Sequence, residues 1–426
     1  MGEIGTVMVV GLVVLLALGV PIAFTIGLLA AVGLWMAEVN PMILPQQLIA
    51  GSNVTSLLAI PGFILAGEVM SAGGLSRRLV RVAETCFGHL TGGLSMSTVA
   101  AGTFFGAISG SAPATTAAVG SIMIDEMESR GYQRGYAAAL ATAVGPLGQM
   151  IPPSIPMVIW GVLAEESIAK LFLAGIIPGL IAAAGFCVVS VLYARFHGVE
   201  REKRATGREF LHALKDGVWA LLAPVVILGG IYSGMFTPTE AAMVGVLYSA
   251  IVGVFLYRDL DWKTLPAILM SSMRTTGVIM FIVAVAYGFA WVMASEQIPA
   301  QLTRALLTLT DNPILLLLIV NVMLLLLGAV MDNISAMVIL SGVLIGLGQQ
   351  IGLEPIQLGA MVVINFAVGM VTPPVGYSIF VASSISGLRV ETVARHIWPF
   401  MLVLIAVVAL VAYVPAVTLW LPETFG

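Results

Sequence analysis

Long uncharged runs separated by short polar stretches set the layout of this chain. A helix needs about 20 apolar residues to cross a bilayer. The runs at 4–37, 54–70, 90–124, 135–164, 171–194, 217–235, 241–257, 275–295, 312–350, 355–388 and 397–421 approach or exceed that length. The pattern predicts an all-α polytopic membrane protein. The first run carries Pro21, which fits either a tilted helix with a proline near its middle or a short surface helix followed by a span. The run at 90–124 is too rich in Gly, Ser and Thr for one clean helix. Residues 195–216 form the only sizeable polar segment and read as a linker between two halves.

Two runs are broken in the same way. The stretch from Gly148 to Pro156 contains Pro152 and Pro153, and 221 residues later the stretch from Gly369 to Tyr377 contains Pro373 and Pro374. A proline removes a backbone donor, clashes with the preceding turn, and pushes the residue before it towards extended geometry. Backbone groups freed at membrane depth are tolerated only where protein, water or a solute satisfies them. The same offset pairs Pro178 with Pro399, and past a one-residue gap Gly106 and Gly120 meet Gly328 and Gly342. These matches predict an internal structural repeat, as secondary transporters have.

Composition narrows the class further. Of 426 residues, 59% are hydrophobic and 9% charged, about a third of the charge of a soluble domain. Cys86 and Cys187 make neither a disulfide framework nor a metal set and read as packing residues. The distribution of basic residues argues topology. If 90–124 and 312–350 are re-entrant hairpins with tips near 109–116 and 331–336, and the N-terminus is cytoplasmic, sixteen Lys and Arg residues face the cytoplasm. Only Lys170 and Arg304 face outward. That bias matches the positive-inside rule. An odd number of crossings precedes the second half, so the second copy is inverted and the C-terminus is periplasmic.

The predicted organisation is a first repeat over 1–194, with scaffold helices in 4–88, a hairpin at 90–130, a broken helix at 135–164 and a helix at 168–194. A basic cytoplasmic linker at 195–216 and a connecting helix at 217–235 follow. The inverted second repeat, 236–426, comprises helices at 238–257 and 272–295, a hairpin at 312–352, a broken helix at 355–388 and a helix at 396–421. Both tips and both breaks converge near the midplane.

In the first tip, Ser109, Gly110, Ser111, Thr115 and Thr116 offer hydroxyls and close backbone approach, which suit Na⁺, while half-helix N-termini suit a carboxylate. Small residues and hydroxyls also serve plain helix packing. In the second tip, Asp332 is an acid deep in an uncharged run and is a functional candidate on that ground. It also suits an N-cap with Ser335 at the third position, and the two roles coexist. Gln149 and Asn365 either line the cavity or bridge helices. Glu68 and Glu240 lie at span ends and read as interfacial, and Arg77, Arg78 and Arg81 as an amphipathic arm. No phosphate loop, Cys/His set or nucleophile–base pair is present, so the chain is not expected to be an enzyme or to bind nucleic acid.

The segments Ser109–Gly120, Ile151–Pro156, Leu171–Gly179, Gly234–Ala242 and Thr372–Gly376 resemble the large membrane subunit of a TRAP (tripartite ATP-independent periplasmic) transporter, and the resemblance spans nearly the whole chain. It implies an elevator-type, Na⁺-coupled importer in a bacterial or archaeal inner membrane. It also implies two partners: a periplasmic binding protein that delivers an organic acid such as a C4-dicarboxylate or sialic acid, and a small four-helix membrane subunit expected as a separate chain. By the resemblance, the sites map onto Ser109–Thr116, Gly145–Ser154 with Gln149, Pro152 and Pro153, Asp332–Ser335 with Asn333, and Gly369–Gly376 with Thr372, Pro373 and Pro374. The implied Na⁺ ligands are Ser109, Ser111, Gly145, Asp332, Thr372 and Gly376. Some members carry an acid where this chain has Thr115, which leaves the substrate class open. The rivals are a self-sufficient Na⁺ or H⁺ symporter, favoured by uptake without a binding protein, and a channel or scaffold, favoured by no accumulation.

Overall fold

The computed structural model describes residues 2–310 and 312–426, and every regular element among them is helical. The first uncharged run is not one crossing. It is interrupted between Leu18 and Pro21, leaving α1 (Glu3–Ala17) and α2 (Ile22–Met36). A side-chain carbon on Gly11 would touch Leu29, and one on Gly33 would touch Met8. The two legs are therefore antiparallel, which corrects the expected single span. The start of α1 accordingly shares an end of the molecule with the end of α2.

Next come α3 (Ile43–Ser52), α4 (Ala59–Ala72) and the amphipathic α5 (Leu75–Phe87). α5 buries Leu75, Leu79 and Val82 and exposes Arg77 and Arg81. Its Arg78 bonds Asp216 at 3.3 Å and Asp259 at 2.5 Å, and its guanidinium lies 3.7 Å over the Tyr257 ring. Helices α6 (Gly93–Ser109) and α7 (Ala112–Ser129) fold back on each other, with Thr98 meeting Met127 near the open end and Ser109 meeting Thr115 at the joint. The next run divides into α8 (Arg134–Ala143), the single turn α9 (Leu147–Met150) and α10 (Ile155–Leu163) around Pro152 and Pro153. α11 (Ile168–His197) keeps Pro178 inside it.

The segment expected as a linker over 195–216 is largely helical. A capping box of Thr206 and Glu209 starts α12 (Gly207–Tyr232) ten residues before the apolar run begins. Thr237 and Glu240 form a second such box on α13 (Pro238–Ile251), which explains Glu240 as a helix-start residue. α14 (Leu265–Ser295) is longer than expected, and α15 (Ile298–Leu307) follows. α16 (Pro313–Val330) and α17 (Asn333–Ile351) join at Met331 and Asp332, and α18 (Pro355–Gly369) and α19 (Tyr377–Ser386) flank Pro373 and Pro374. The last run is two helices, α20 (Val390–Tyr413), with Pro399 inside, and α21 (Ala416–Phe425).

Eight of these helical stretches, among the described residues, are long and apolar enough to cross a membrane. α2 lies parallel to α14, Gly27 facing Val285 and Gly33 facing Val292, while α4 lies parallel to α13, with Gly62 against Ala242 and Gly73 against Gly253. α8 and α18 are buried along nearly their whole length, with Gln357 and Asn365 of α18 hydrogen-bonded, and form the centre of the packing. The arms α6, α7, α16 and α17 have 17, 18, 18 and 19 residues, well beyond the ~10 that half a bilayer requires. Arm length alone therefore does not mark a half-crossing; the position of the joints is the informative feature.

Candidate transport cavity

Each joint lies against a proline break because two glycines permit it. A carbon on Gly106 would lie 2.8 Å from the Gly148 Cα, and one on Gly369 would lie 2.6 Å from the Gly328 Cα. With no side chain on either partner, the helices approach to backbone contact. The Ile155 N–H donates to the Gly110 carbonyl at 3.3 Å, and the Gly376 N–H donates to the Ala329 carbonyl at 3.2 Å. Gly110 sits at φ +63°, left-handed geometry that glycine adopts without steric cost.

At the first joint the hydroxyls of Ser109 and Thr115 are 2.8 Å apart, and Thr115 Oγ1 donates to the Ser111 carbonyl at 2.9 Å. Ser109, Thr115 and Thr116 are buried, and Thr116 Oγ1 has no hydrogen-bond partner. The space a Gly145 side chain would fill is bounded by Thr116 Oγ1 and by the Ala112 and Thr142 carbonyls at 3.0 Å. The corresponding space at Gly148 is bounded by Thr115 Oγ1 and the Ser111 carbonyl at 3.0 Å. Neutral hard oxygens gathered around small gaps fit a monovalent hard cation chemically.

At the second joint Asp332 caps α17, accepting from the Ser335 N–H and Oγ, both at 3.1 Å. Asn333 is buried with its side-chain NH₂ unpartnered. Between the joints lies a cavity of about 820 Å³, lined by Ser109, Gly110, Ser111, Gln149, Asp332, Asn333 and Ser335 among others. Gln149 donates to Met370 Sδ at 3.4 Å and leaves its Oε1 unpartnered. Thr115, Thr116, Gly145, Pro152, Pro153, Ser154, Asn365, Gly369, Thr372, Pro373, Pro374 and Gly376 are not part of this lining. Ser154 caps α10, Thr372 Oγ1 donates to the Val368 carbonyl at 2.8 Å, and Asn365 bonds Asn321 at 2.7 Å. Asn365 is thus a bridge between α16 and α18.

The opposite wall comes from α4 and α14. Glu68, expected at an interface, lines the cavity instead and accepts from Ser271 Oγ at 3.1 Å. Ser121, Thr275 and Tyr377 also line it and had not been singled out. A detectable signal existed for α14: Ser271, Thr275, Val278 and Ile282 follow helical spacing.

The sequence profile of the tripartite ATP-independent periplasmic transporter, DctM component, matches residues 9–417. The chain belongs to that family. As a DctM component it is a subunit of a membrane transporter and not an enzyme. It is 41% identical over 380 residues to the C4-dicarboxylate TRAP transporter large permease protein DctM of Pseudomonas aeruginosa, covering 89% of both chains. It is 36% identical over 412 residues to the sialic acid TRAP transporter large permease protein SiaM of Vibrio cholerae, covering 96% of both. The isethionate TRAP transporter permease protein DctMQ of Oleidesulfovibrio alaskensis is 40% identical over 408 residues, 95% of this DctM chain, which spans 64% of that longer relative. Among solved structures, the YdaH transporter of Alcanivorax borkumensis superposes with a TM-score of 0.63 at 15% identity, covering 90% of this chain and 88% of that one. MtrF of Neisseria gonorrhoeae does so at 0.58 and 13%, covering 86% and 82%. The DctM chain thus shares its fold with membrane transporters, and the 820 Å³ cavity is the candidate site for cargo.

Proposed function

We propose that this DctM subunit imports an organic acid with Na⁺ as the coupling ion, carrying both through the cavity between its two helix joints. The observation that carries the proposal is that one cavity is lined by both joints and by Gln149 and Met370 from beside the breaks. In this reading α6–α7 and α16–α17 are re-entrant hairpins, and the residues before and after the 195–216 segment are inverted repeats. Equivalent positions in equivalent contacts support the repeat. Gly106 on Gly148 matches Gly328 on Gly369, and the donors Ile155 and Gly376 are 221 residues apart. Gln149 and Met370, also 221 apart, touch each other, as residues beside a pseudo-twofold axis do.

Ser109, Ser111, Thr115, Thr116 and Gly145 would hold one cation, with a second at Asp332 and the Thr372–Gly376 break. The N-terminal ends of α7 and α17 would face the carboxylate. The hairpins and broken helices would move as one body against α4, α13 and α14. Its relatives' names point to anionic cargo: C4-dicarboxylates, sialic acid and isethionate. A periplasmic binding protein and a small membrane subunit would complete the system. If the end bearing Arg78 and Arg130 is cytoplasmic, the start of α1 would be periplasmic in this reading, where a single crossing would make it cytoplasmic.

The test is accumulation of labelled organic acids by vesicles holding this chain and its small subunit. It is run with and without binding protein, under an inward Na⁺ gradient. Accumulation requiring all components and Na⁺ is expected; accumulation indifferent to Na⁺ would overturn the coupling, and uptake without binding protein the tripartite assembly.

A further inference from the structure

The polar segment before α12 and the first turns of that helix carry more positive charge than the fold consumes. The acids there are occupied: Glu202 pairs with Arg130, Glu209 closes the capping box with Thr206, and Asp216 pairs with Arg78 and Arg81. The cations are not. Arg195, Arg201, Lys203, Arg204, Arg208 and Lys215 are all exposed, and none forms an ion pair among the described residues. Only Glu200 is left to oppose them. α12 gives this charge a direction. Ala213, Gly217, Ala220, Pro224 and Ile227 are buried on one side, where a carbon on Gly217 would touch Val82 of α5. The opposite side follows helical spacing through Arg208, Leu211, Lys215, Trp219 and Leu222, all exposed. Along that stripe a basic stretch gives way to Trp219 and then to Leu222, with Val225 exposed beside it. Tryptophan concentrates where hydrocarbon meets headgroups. Lys215 stands one turn, about 6 Å, beyond Trp219, and a headgroup layer is about 5–8 Å deep. Arg208 stands about 16 Å beyond Trp219, outside that layer but about one screening length from it.

We infer that this stripe and the segment before it form a docking surface for anionic phospholipid headgroups. Lys215 meets the lipid phosphate, and Arg208 with Arg201, Lys203 and Arg204 adds longer-range attraction. Because Glu202 and Asp216 are tied to Arg130 and Arg78, the cations between them keep their charge. A zwitterionic lipid carries its own cation beside its phosphate, whereas phosphatidylglycerol presents net negative charge to them. Lipid fits this surface better than protein does: a protein laid over Leu211 and Trp219 would strip water from the unpaired Arg208 and Lys215, which is costly for an uncompensated charge, while a headgroup leaves them hydrated. The surface lies apart from both joints, and the inference does not depend on Na⁺ coupling.

The experiment uses the purified complex of this chain with its small membrane subunit in bilayers of mixed phosphatidylcholine and phosphatidylglycerol. Quenching of Trp219 by brominated phosphatidylglycerol, relative to brominated phosphatidylcholine, reads the lipid preference beside it. The Trp219→Phe complex supplies the signal of all other tryptophans for subtraction. Phosphatidylglycerol should be preferred. Lys215→Gln should reduce that preference about fivefold, the effect of one basic residue at an anionic surface. Arg208→Gln should reduce it by less, and Lys215→Arg should keep it. Equal quenching by the two lipids would overturn the inference, as would a preference unchanged when Arg208 and Lys215 are both replaced by Gln. Absence of quenching by either lipid would show that the small subunit covers the stripe and would overturn it too. Inorganic phosphate, compared with chloride at equal ionic strength, should leave the preference unchanged; its loss would make this a site for the free anion and not for lipid.

Discussion

The two joints share a framework and differ in chemistry. Both bring glycine onto glycine, and both accept a backbone N–H from the residue that follows a proline break. The first then fills its interior with neutral hydroxyls, and its arms lie against each other from Thr98–Met127 to Ser109–Thr115. The second places an acid at the start of α17, and its arms lean more on neighbouring helices, α16 on α18 and α17 on α14 and α15. Backbone geometry is what the two copies have in common, because helix contact and freed peptide groups impose the same steric rules on each. Side-chain chemistry at the tips is free to diverge. A hydroxyl joint would bind a cation without carrying charge, whereas an acid joint would change its electrostatic state on binding one.

Substituting at each joint separates the two. Asp332→Ala removes the only charge on either tip, and coupled uptake should fall about 100-fold, near the upper limit of common coupling factors, with the protein still in the membrane. Normal uptake would reduce Asp332 to a cap on α17. The next largest effect should come from the shared framework. Gly369→Ala forces a carbon into the Gly328 backbone at 2.6 Å and is expected to cost about 1–3 kcal/mol by overpacking, read as a lower Tm of the purified complex. Gly106→Ala should do the same at the other joint, where the matching distance is 2.8 Å; a large loss at one and none at the other would break the equivalence.

A smaller effect is expected from Thr116→Val, which deletes a buried hydroxyl with no partner. If that oxygen serves a cation, the Na⁺ concentration for half-maximal uptake rises about tenfold with Tm unchanged or raised. If the hydroxyl is merely buried, Tm rises and the Na⁺ dependence stays put.

The smallest effect lies away from both joints, on α5. Burial and the charges of Glu126 and Glu202 push the Glu84 carboxyl up to about 7, against the opposing pull of Arg130 and Arg81. Because its folded value is raised, the stability it contributes is present at low pH and is lost as pH rises from its ordinary range through about 7. Glu84→Gln should flatten the Tm-against-pH curve across that window and raise Tm at pH 8; an unchanged slope would show that Glu84 ionises freely.

Much of the site was legible because prolines and glycines announce backbone events. Pro152, Pro153, Pro373 and Pro374 can only interrupt a helix, and Gly106, Gly148, Gly328 and Gly369 at a fixed offset can be matched without knowing their contacts. Asp332 was legible as a lone acid in an apolar run. The α1–α2 reversal was not, since hydropathy measures the length of a run and not its direction. Glu68 was missed for a related reason: a charge near a span end looks the same whether it meets lipid headgroups or a water-filled space. The roles of Asn365 and Gln149 were left between lining and bridging, because an amide serves both. Asn365 bridges to Asn321, and Gln149 lines the cavity.

The short antiparallel legs α1 and α2 carry a consequence for the surrounding lipid. Fifteen residues each give about 22 Å of helix against about 30 Å of hydrocarbon. Val10, Val13 and Val14 of α1 are exposed on the outside of the molecule. Acyl chains beside these legs must compress or tilt to match them, at a fraction of a kcal/mol per Å of mismatch. A bilayer spanned by these legs would thin locally on this flank, and stability and uptake rate are expected to respond to acyl-chain length, with shorter-chain lipids favoured.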